Sequence, residues 1–252
     1  MLFDTHAHYD SRQFAQDWEP LLESMPQNGV GLILNPGCDM ETSRRVLELC
    51  DRFPFVYGAV GIHPEEADGA REGDIDRLRE MARHPKVKAI GEIGLDYYWK
   101  EVPRETQQHW LRLQLELARE LQLPVIIHDR EAHGDCMDIL REYPDLRVVF
   151  HCFSGSVEMA REIVRRGWYL SFTGVITFPN SKKAVEVVEE IPLERMFIET
   201  DSPYMAPVPY RGKRNSSLYV HRVAERIAEI KGLSLQEVED TTTRCARAFF
   251  DI

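Results

Sequence analysis

Eight short runs of apolar or β-branched residues recur along this 252-residue chain, and their spacing restricts its fold more than any other feature. They cover 2–4, 31–34, 56–60, 87–90, 125–127, 148–150, 169–172 and 196–198, with starts 21 to 38 residues apart. That interval is one strand, one helix and two loops. Several runs are apolar on consecutive positions, as strands buried on both faces are. Helical patterns lie between them. Over 103–121, Trp110, Leu113, Leu117 and Leu121 repeat every three or four residues, and Pro103 suits a first turn. Ser234 and Glu237 form a capping-box pattern that opens a last helix through Phe249, and Gly232 ends the helix before it. No linker or composition break divides the chain. Eight β units alternating with helices over about 250 residues have the rhythm of an α/β protein of the (β/α)8 (TIM) barrel type, one domain spanning 1–252. A doubly wound open sheet is the competitor. It normally carries a glycine-rich phosphate turn after its first strand, where this chain has Thr5-His6-Ala7-His8.

In a barrel the chemistry comes from the C-terminal ends of the strands. Roughly three residues at each of eight strand ends make up about a tenth of the chain, so about one histidine in nine belongs there by chance. Five are found there: His6 and His8 after the first strand, His63 after the third, His128 after the fifth and His151 after the sixth. Glu92 follows the fourth strand and Asp201 the eighth. His6 and His8 are two apart on an extended segment, so both imidazoles leave from one face and can chelate one ion. His128 and His151, from neighbouring strands, can hold a second. Glu92 falls between the two pairs in strand order and has two oxygens with which to bridge, while Asp201 comes from the strand beside the first. Such a mixed nitrogen and oxygen set suits two divalent ions per chain, magnesium, manganese or zinc, without selecting among them. His84, His109, His133 and His221 fall in loops or on helices, and Asp4 and Glu199 have supporting places.

Composition narrows the function. The five cysteines are odd in number, scattered and without CxxC spacing, which suits reduced thiols in a cytoplasmic protein. No run approaches the 18 or so apolar residues of a membrane span, and the first residues have no basic region of a secretory signal. Neither a membrane nor a protein partner is implied. A net charge of −11 argues against sequence-independent coating of nucleic acid. It leaves room for a nucleic-acid enzyme whose site supplies its own positive charge.

The segments around these residues resemble the TatD family of metal-dependent deoxyribonucleases, within the amidohydrolase-like barrels. The matching stretches are Phe3-Asp4-Thr5-His6-Ala7-His8-Tyr9-Asp10, Gly61-Ile62-His63-Pro64 and Ala89-Ile90-Gly91-Glu92-Ile93-Gly94-Leu95-Asp96-Tyr97. They continue with Ile127-His128-Asp129-Arg130-Glu131-Ala132, His151-Cys152-Phe153-Ser154-Gly155, Glu199-Thr200-Asp201-Ser202-Pro203 and Arg211-Gly212-Lys213-Arg214-Asn215. The resemblance implies one ion on His6, His8 and Asp201, another on His128 and His151, and Glu92 shared. Two departures stand out. Ser216-Ser217 takes the place of the family's usual Glu-Pro, beside Arg214, and Met205 replaces a leucine.

The implied reaction is hydrolysis of DNA by water activated between two ions roughly 3.5–4 Å apart, acting on single strands or 3′ ends. In that reading Glu92 and Asp201 are catalytic as well as ligands, Asp201 accepting the water's proton, and His63 contacts a phosphate or the leaving oxygen. Arg130, Arg211, Lys213 and Arg214 are candidate phosphate contacts, and Tyr97, Tyr98 and Trp99 candidate stacking surfaces for bases. The same residues suit an amidohydrolase or an aminoacyl-tRNA deacylase. A non-catalytic metal-dependent interaction module has no need of six ligands.

Overall fold

The computed structural model describes all 252 residues. Its strands are β1 (Leu2–Asp4), β2 (Val30–Pro36), β3 (Val56–Val60), β4 (Val87–Asp96), β5 (Val125–Arg130), β6 (Val148–Phe150), β7 (Tyr169–Phe172) and β8 (Met196–Ile198), ordered in the sheet as in the chain. Helices α1 (Trp18–Glu23), α2 (Met40–Arg52), α3 (Asp74–Met81), α4 (Arg104–Leu121), α5 (His133–Leu140), α6 (Val157–Arg165), α7 (Lys182–Glu190) and α8 (Val220–Lys231) each follow a strand, and α9 (Leu235–Phe250) ends the chain. This is a (β/α)8 barrel fold, as the repeated runs imply, and the sequential strand order rules out the doubly wound alternative. No helix is long and apolar enough to cross a membrane.

The chain packs as two compact units, 36–151 and a discontinuous one of 1–35 with 152–252. The first of these holds β3 to β6 and α2 to α5. Its inner strands are buried on successive residues, Val125, Ile126 and Ile127 among them, because helices cover one face and the core the other. β4 and β5 extend well beyond the apolar runs at 87–90 and 125–127, remaining paired to Asp96↔Arg130. Glu92 and His128 therefore lie within strands rather than after them. Glycines and carboxylates make 91–96 look like a loop in sequence, yet Glu92 and Asp96 are buried and the ladder continues. Gly94 allows this: its φ is +149°, and a Cβ there would overlap the carbonyl of His128 on β5.

The buried face of α4 also differs from the expected stripe. Trp110 and Leu117 are buried, but Leu113 and Leu121 are half-exposed, and the face is completed by Gln107, Leu111, Gln114, Leu115 and Ala118. Two glutamines stand where a hydrophobic pattern predicts apolar residues, because each binds the main chain of a neighbouring loop.

The other unit holds β1, β2 as far as Asn35, β7 and β8. Thr5 N–H donates to Ile198 O at 3.2 Å, so the chain leaving β1 lies along β8. An aromatic cluster fills this unit: Tyr169 stacks on Phe197 at 4.8 Å between centroids, and Phe249 and Phe250 of α9 pack against Phe197 and Phe3. Each buried phenylalanine stabilises the fold by about 1.5–3 kcal/mol. α9 begins where Ser234 caps it, its hydroxyl accepting from Glu237 N at 3.2 Å, and α8 ends at Gly232 with φ 65°.

Candidate metal centre

The unit containing β1 and β8 brings His6, His8 and Asp201 together. The two Nε2 atoms are 3.1 Å apart, and Asp201 Oδ1 lies 3.5 Å from His8 Nε2 and 3.9 Å from His6 Nε2. All three residues are buried. Main-chain bonds hold them: His8 N–H donates to Ser202 O at 2.7 Å and Asp201 N–H to His6 O at 2.9 Å. Asp201 adopts a left-handed backbone, φ 54°, which turns its side chain toward the imidazoles. Beneath it, Asp4 accepts from Thr200 N at 2.9 Å and from Thr200 Oγ1 at 2.6 Å, tying the end of β1 to the turn after β8. Burial raises the Asp4 carboxyl to about 7 even though bonds from Ser217 and Thr200 oppose it. Glu199 is structural too, accepting from Cys152 N and Ser171 Oγ, both at 2.6 Å.

In the unit 36–151, three imidazoles surround one carboxylate oxygen. Glu92 Oε1 is 2.7 Å from His151 Nε2, 2.9 Å from His128 Nδ1 and 3.5 Å from His63 Nε2. His128 Nδ1 is also 3.2 Å from His151 Nε2. The register of β5 with β6 produces that approach, since His151 N–H donates to Ile127 O at 3.0 Å, one residue before His128. Burial by itself would lower the His128 pKa, but bonds to Asp96 and Glu92 carry it up to about 9. The ring is thus held between two carboxylates, and a divalent cation fits where the proton facing Glu92 and His151 would sit. Converging imidazole nitrogens around a buried carboxylate, repeated in both units, are the donor chemistry of a zinc, manganese or magnesium site.

His63 is held in a different way. Its Nδ1 accepts from Glu65 N–H at 3.2 Å and its own N–H donates to Cys38 O at 2.7 Å. The neutral ring therefore carries its proton on Nε2, the nitrogen that faces Glu92, and presents a donor there rather than a lone pair. His63 belongs to the group around Glu92, although its spacing in sequence set it apart from the ligands.

The other expected site residues divide into exposed and committed ones. Arg130 ends β5 with its guanidinium 3.9 Å from the centre of the Tyr98 ring and 5.7 Å from that of Trp99, both rings about half-exposed. Tyr97 is buried; its hydroxyl donates to Asp135 at 2.8 Å, so its ring presents no stacking face to solvent. Arg211 lies over Phe178 at 4.5 Å, and Lys213 is exposed. Arg214 is committed to Asp17 through two bonds, to Gln13 O at 2.8 Å, and to the Phe14 ring. Ser216-Ser217 opens a short 3-10 helix, with Ser216 Oγ accepting from Leu218 N and Ser217 bonded to the Tyr9 hydroxyl.

Several supporting residues had no signal in the sequence. Gln114 exchanges two hydrogen bonds with the main chain of Ile62, next to His63, and Gln107 does the same for Asp96. Asn215 donates to Thr200 O and Tyr204 O on either side of Asp201.

Residues 3–251 match the family model described as TatD related DNase. The chain is 44% identical to the uncharacterized metal-dependent hydrolase YabD of Bacillus subtilis, covering all of both chains. It is 34% identical to YcfH of Escherichia coli, also described as an uncharacterized metal-dependent hydrolase, over 96% of this chain and 92% of that one. Among solved structures, YjjV, a TatD homolog from E. coli, superposes with a TM-score of 0.94 at 32% identity over 100% of this chain and 98% of that one.

Proposed function

Since this chain belongs to the TatD-related family of metal-dependent hydrolases, we propose that it hydrolyses phosphodiester bonds of DNA, working on single strands or 3′ ends. The observation that carries the reading is the pair of imidazole–carboxylate groups, each with the donors for one divalent ion, in a family described by its DNase activity. In this proposal His6, His8 and Asp201 would hold one ion and His128 and His151 the other, with Glu92 the shared ligand that the family resemblance implies. When bound, two such ions lower the pKa of a water and offset the charge of the attacked group.

The protein's own groups supply the rest. Asp201 takes the proton of the attacking water. His63, with its proton on Nε2, donates to a phosphate or leaving oxygen. Arg130 attracts the backbone of the strand, and the Trp99 ring stacks an unpaired base. Arg211 and Lys213 add positive charge on an acidic chain. The scattered cysteines favour a reducing, cytoplasmic setting. A second reading, hydrolysis of an amide or an aminoacyl ester, is favoured by the engagement of Arg214 with Asp17, which removes one phosphate contact.

Demetallated protein should be inactive on single-stranded DNA, and Mn²⁺ or Mg²⁺ should restore stepwise release of nucleotides from 3′ ends. Full DNA hydrolysis in a metal-free preparation would defeat the proposal. So would reconstituted protein that cleaves only aminoacyl-tRNA or cyclic amides from a panel with DNA and RNA.

A further inference from the structure

We propose that Asp96 is a positioning residue that fixes which nitrogen of His128 faces a bound ion and fastens the exposed Tyr98–Trp99 loop to that same ligand. The inference rests on the reading of His128 as a metal ligand, and it adds a mechanical link between that ligand and the surface assigned to bases.

Asp96 is fully buried at the end of β4, and its two oxygens have different tasks. Oδ2 lies 2.9 Å from His128 Nε2. Oδ1 accepts from Tyr98 N–H at 2.9 Å and from Trp99 N–H at 3.1 Å. A carboxylate only accepts hydrogen bonds, so when Nδ1 gives its lone pair to an ion, the one remaining imidazole proton stays on Nε2, against Asp96. Nδ1 is the nitrogen directed at Glu92 Oε1 and His151 Nε2, 2.9 and 3.2 Å away. Metal-binding histidines commonly have their second nitrogen held by a carboxylate in this way, which sets ring orientation and makes the ligand more basic.

The carboxylate has little room to move. Asp96 N–H donates to Gln107 Oε1 at 2.8 Å, and Gln107 Nε2 returns a bond to Asp96 O at 2.8 Å and one to Val102 O at 3.1 Å. Both sides of the 97–102 loop are thereby pinned to α4. On its outer side the loop presents Tyr98 and Trp99, each 45% exposed, with the Arg130 guanidinium against the Tyr98 ring. Two half-exposed aromatic residues in a short loop would ordinarily be free to reorient. Here their amides end on one buried oxygen, whose partner oxygen holds His128. A shift of His128 on taking an ion is passed through a rigid carboxylate to the Trp99 main chain.

Asp96→Asn separates the two tasks. Its side-chain oxygen can still receive the loop amides, but its NH₂ now faces His128 Nε2, which must accept; the ring proton then moves to Nδ1 and blocks coordination. Asp96→Ala loses both tasks. The test uses the full chain and three readouts: Zn²⁺ titration by calorimetry, acrylamide quenching of the Trp99 emission (the difference from Trp99→Phe), and the histidine ¹⁵N spectrum of Zn²⁺-loaded wild type.

Asp96→Asn should weaken one of two Zn²⁺ equivalents by about 10–100-fold while leaving Trp99 quenching in the metal-free protein unchanged. Asp96→Ala should weaken the same equivalent and raise Trp99 quenching. In wild type, Zn²⁺ should reduce quenching, and His128 should carry its proton on Nε2. Wild-type Zn²⁺ affinity in Asp96→Asn, or Nε2 coordination of His128 in the wild-type spectrum, which needs no variant, overturns this proposal alone. A Zn²⁺ stoichiometry unchanged by His128→Asn overturns the ligand reading and this inference with it.

Discussion

His6 and His8 reach their carboxylate from two residues of one extended segment, whereas His128 and His151 reach theirs from neighbouring strands. The first group is held chiefly by main chain: the His8 and Asp201 amides bond across the turn after β8, and Asp4 clamps Thr200 beneath it. The second group is held by side chains. Glu92 collects three imidazoles, Asp96 grips His128 from behind, and Gln107 and Gln114 lock the adjoining loops. A site built on main chain fails when a ligand is lost. One built on side chains is weakened when a supporting residue is changed as well.

The largest difference should come from removing one donor on each side. Glu92→Gln places an amide nitrogen against His128 and His151 and should leave less than one ion per chain. Turnover should fall on the order of 10³-fold, the several kcal/mol that metal assistance supplies. His8→Asn should keep one ion, on the His128 side. Metal content by mass spectrometry separates the two outcomes, and equal content in both variants would erase the distinction between a shared and an unshared ligand.

A smaller effect is the pH range in which each group, without metal, contributes to stability. The His128 pKa is raised from 6.5 to about 9, so its contribution is complete below pH 6.5 and is lost as pH rises through 9. At 1.36 kcal/mol per pH unit this is on the order of 3 kcal/mol. Asp4 is raised from 3.8 to about 7, so its contribution is complete below pH 3.8 and is lost by about pH 7. Melting temperatures in EDTA should therefore fall in two windows, the upper one absent in His128→Asn and the lower one in Asp4→Asn. A single window abolished by either variant would contradict the assignment.

Smallest of all is Asp17→Ala. Its pair with Arg214 is solvent-exposed, so stability should change by no more than about 1 kcal/mol by denaturant titration. Release of the guanidinium should nonetheless lower KM for a single-stranded oligonucleotide, most at low salt. An unchanged KM would place Arg214 outside the substrate path.

The fold was legible because buried parallel strands are apolar on successive residues, and five of the eight runs coincide with their strands. β4 and β5 were underestimated because their far ends carry Gly91, Glu92, Gly94, His128 and Asp129, residues that resemble a loop until a paired strand supplies partners for the backbone. Of the site, the His6–His8 pair was readable from a spacing of two, which is local geometry. The approach of His151 to Glu92 depends on strand register and has no local signature. Gln107 and Gln114 were invisible for the same reason: their purpose is set by main-chain groups at Asp96 and Ile62, 11 and 52 residues away in the chain. Tyr97 is a further instance, since neighbouring aromatic letters do not reveal which ring Asp135 and Gln108 will bury.

The central claim is that two imidazole–carboxylate groups each hold a divalent ion. Anomalous diffraction from crystals of the protein loaded with Mn²⁺ tests it most directly. Two peaks per chain are expected, one within bonding distance of His6, His8 and Asp201, the other of His128 and His151. A single peak, or two peaks that leave either histidine pair uncoordinated, would contradict it.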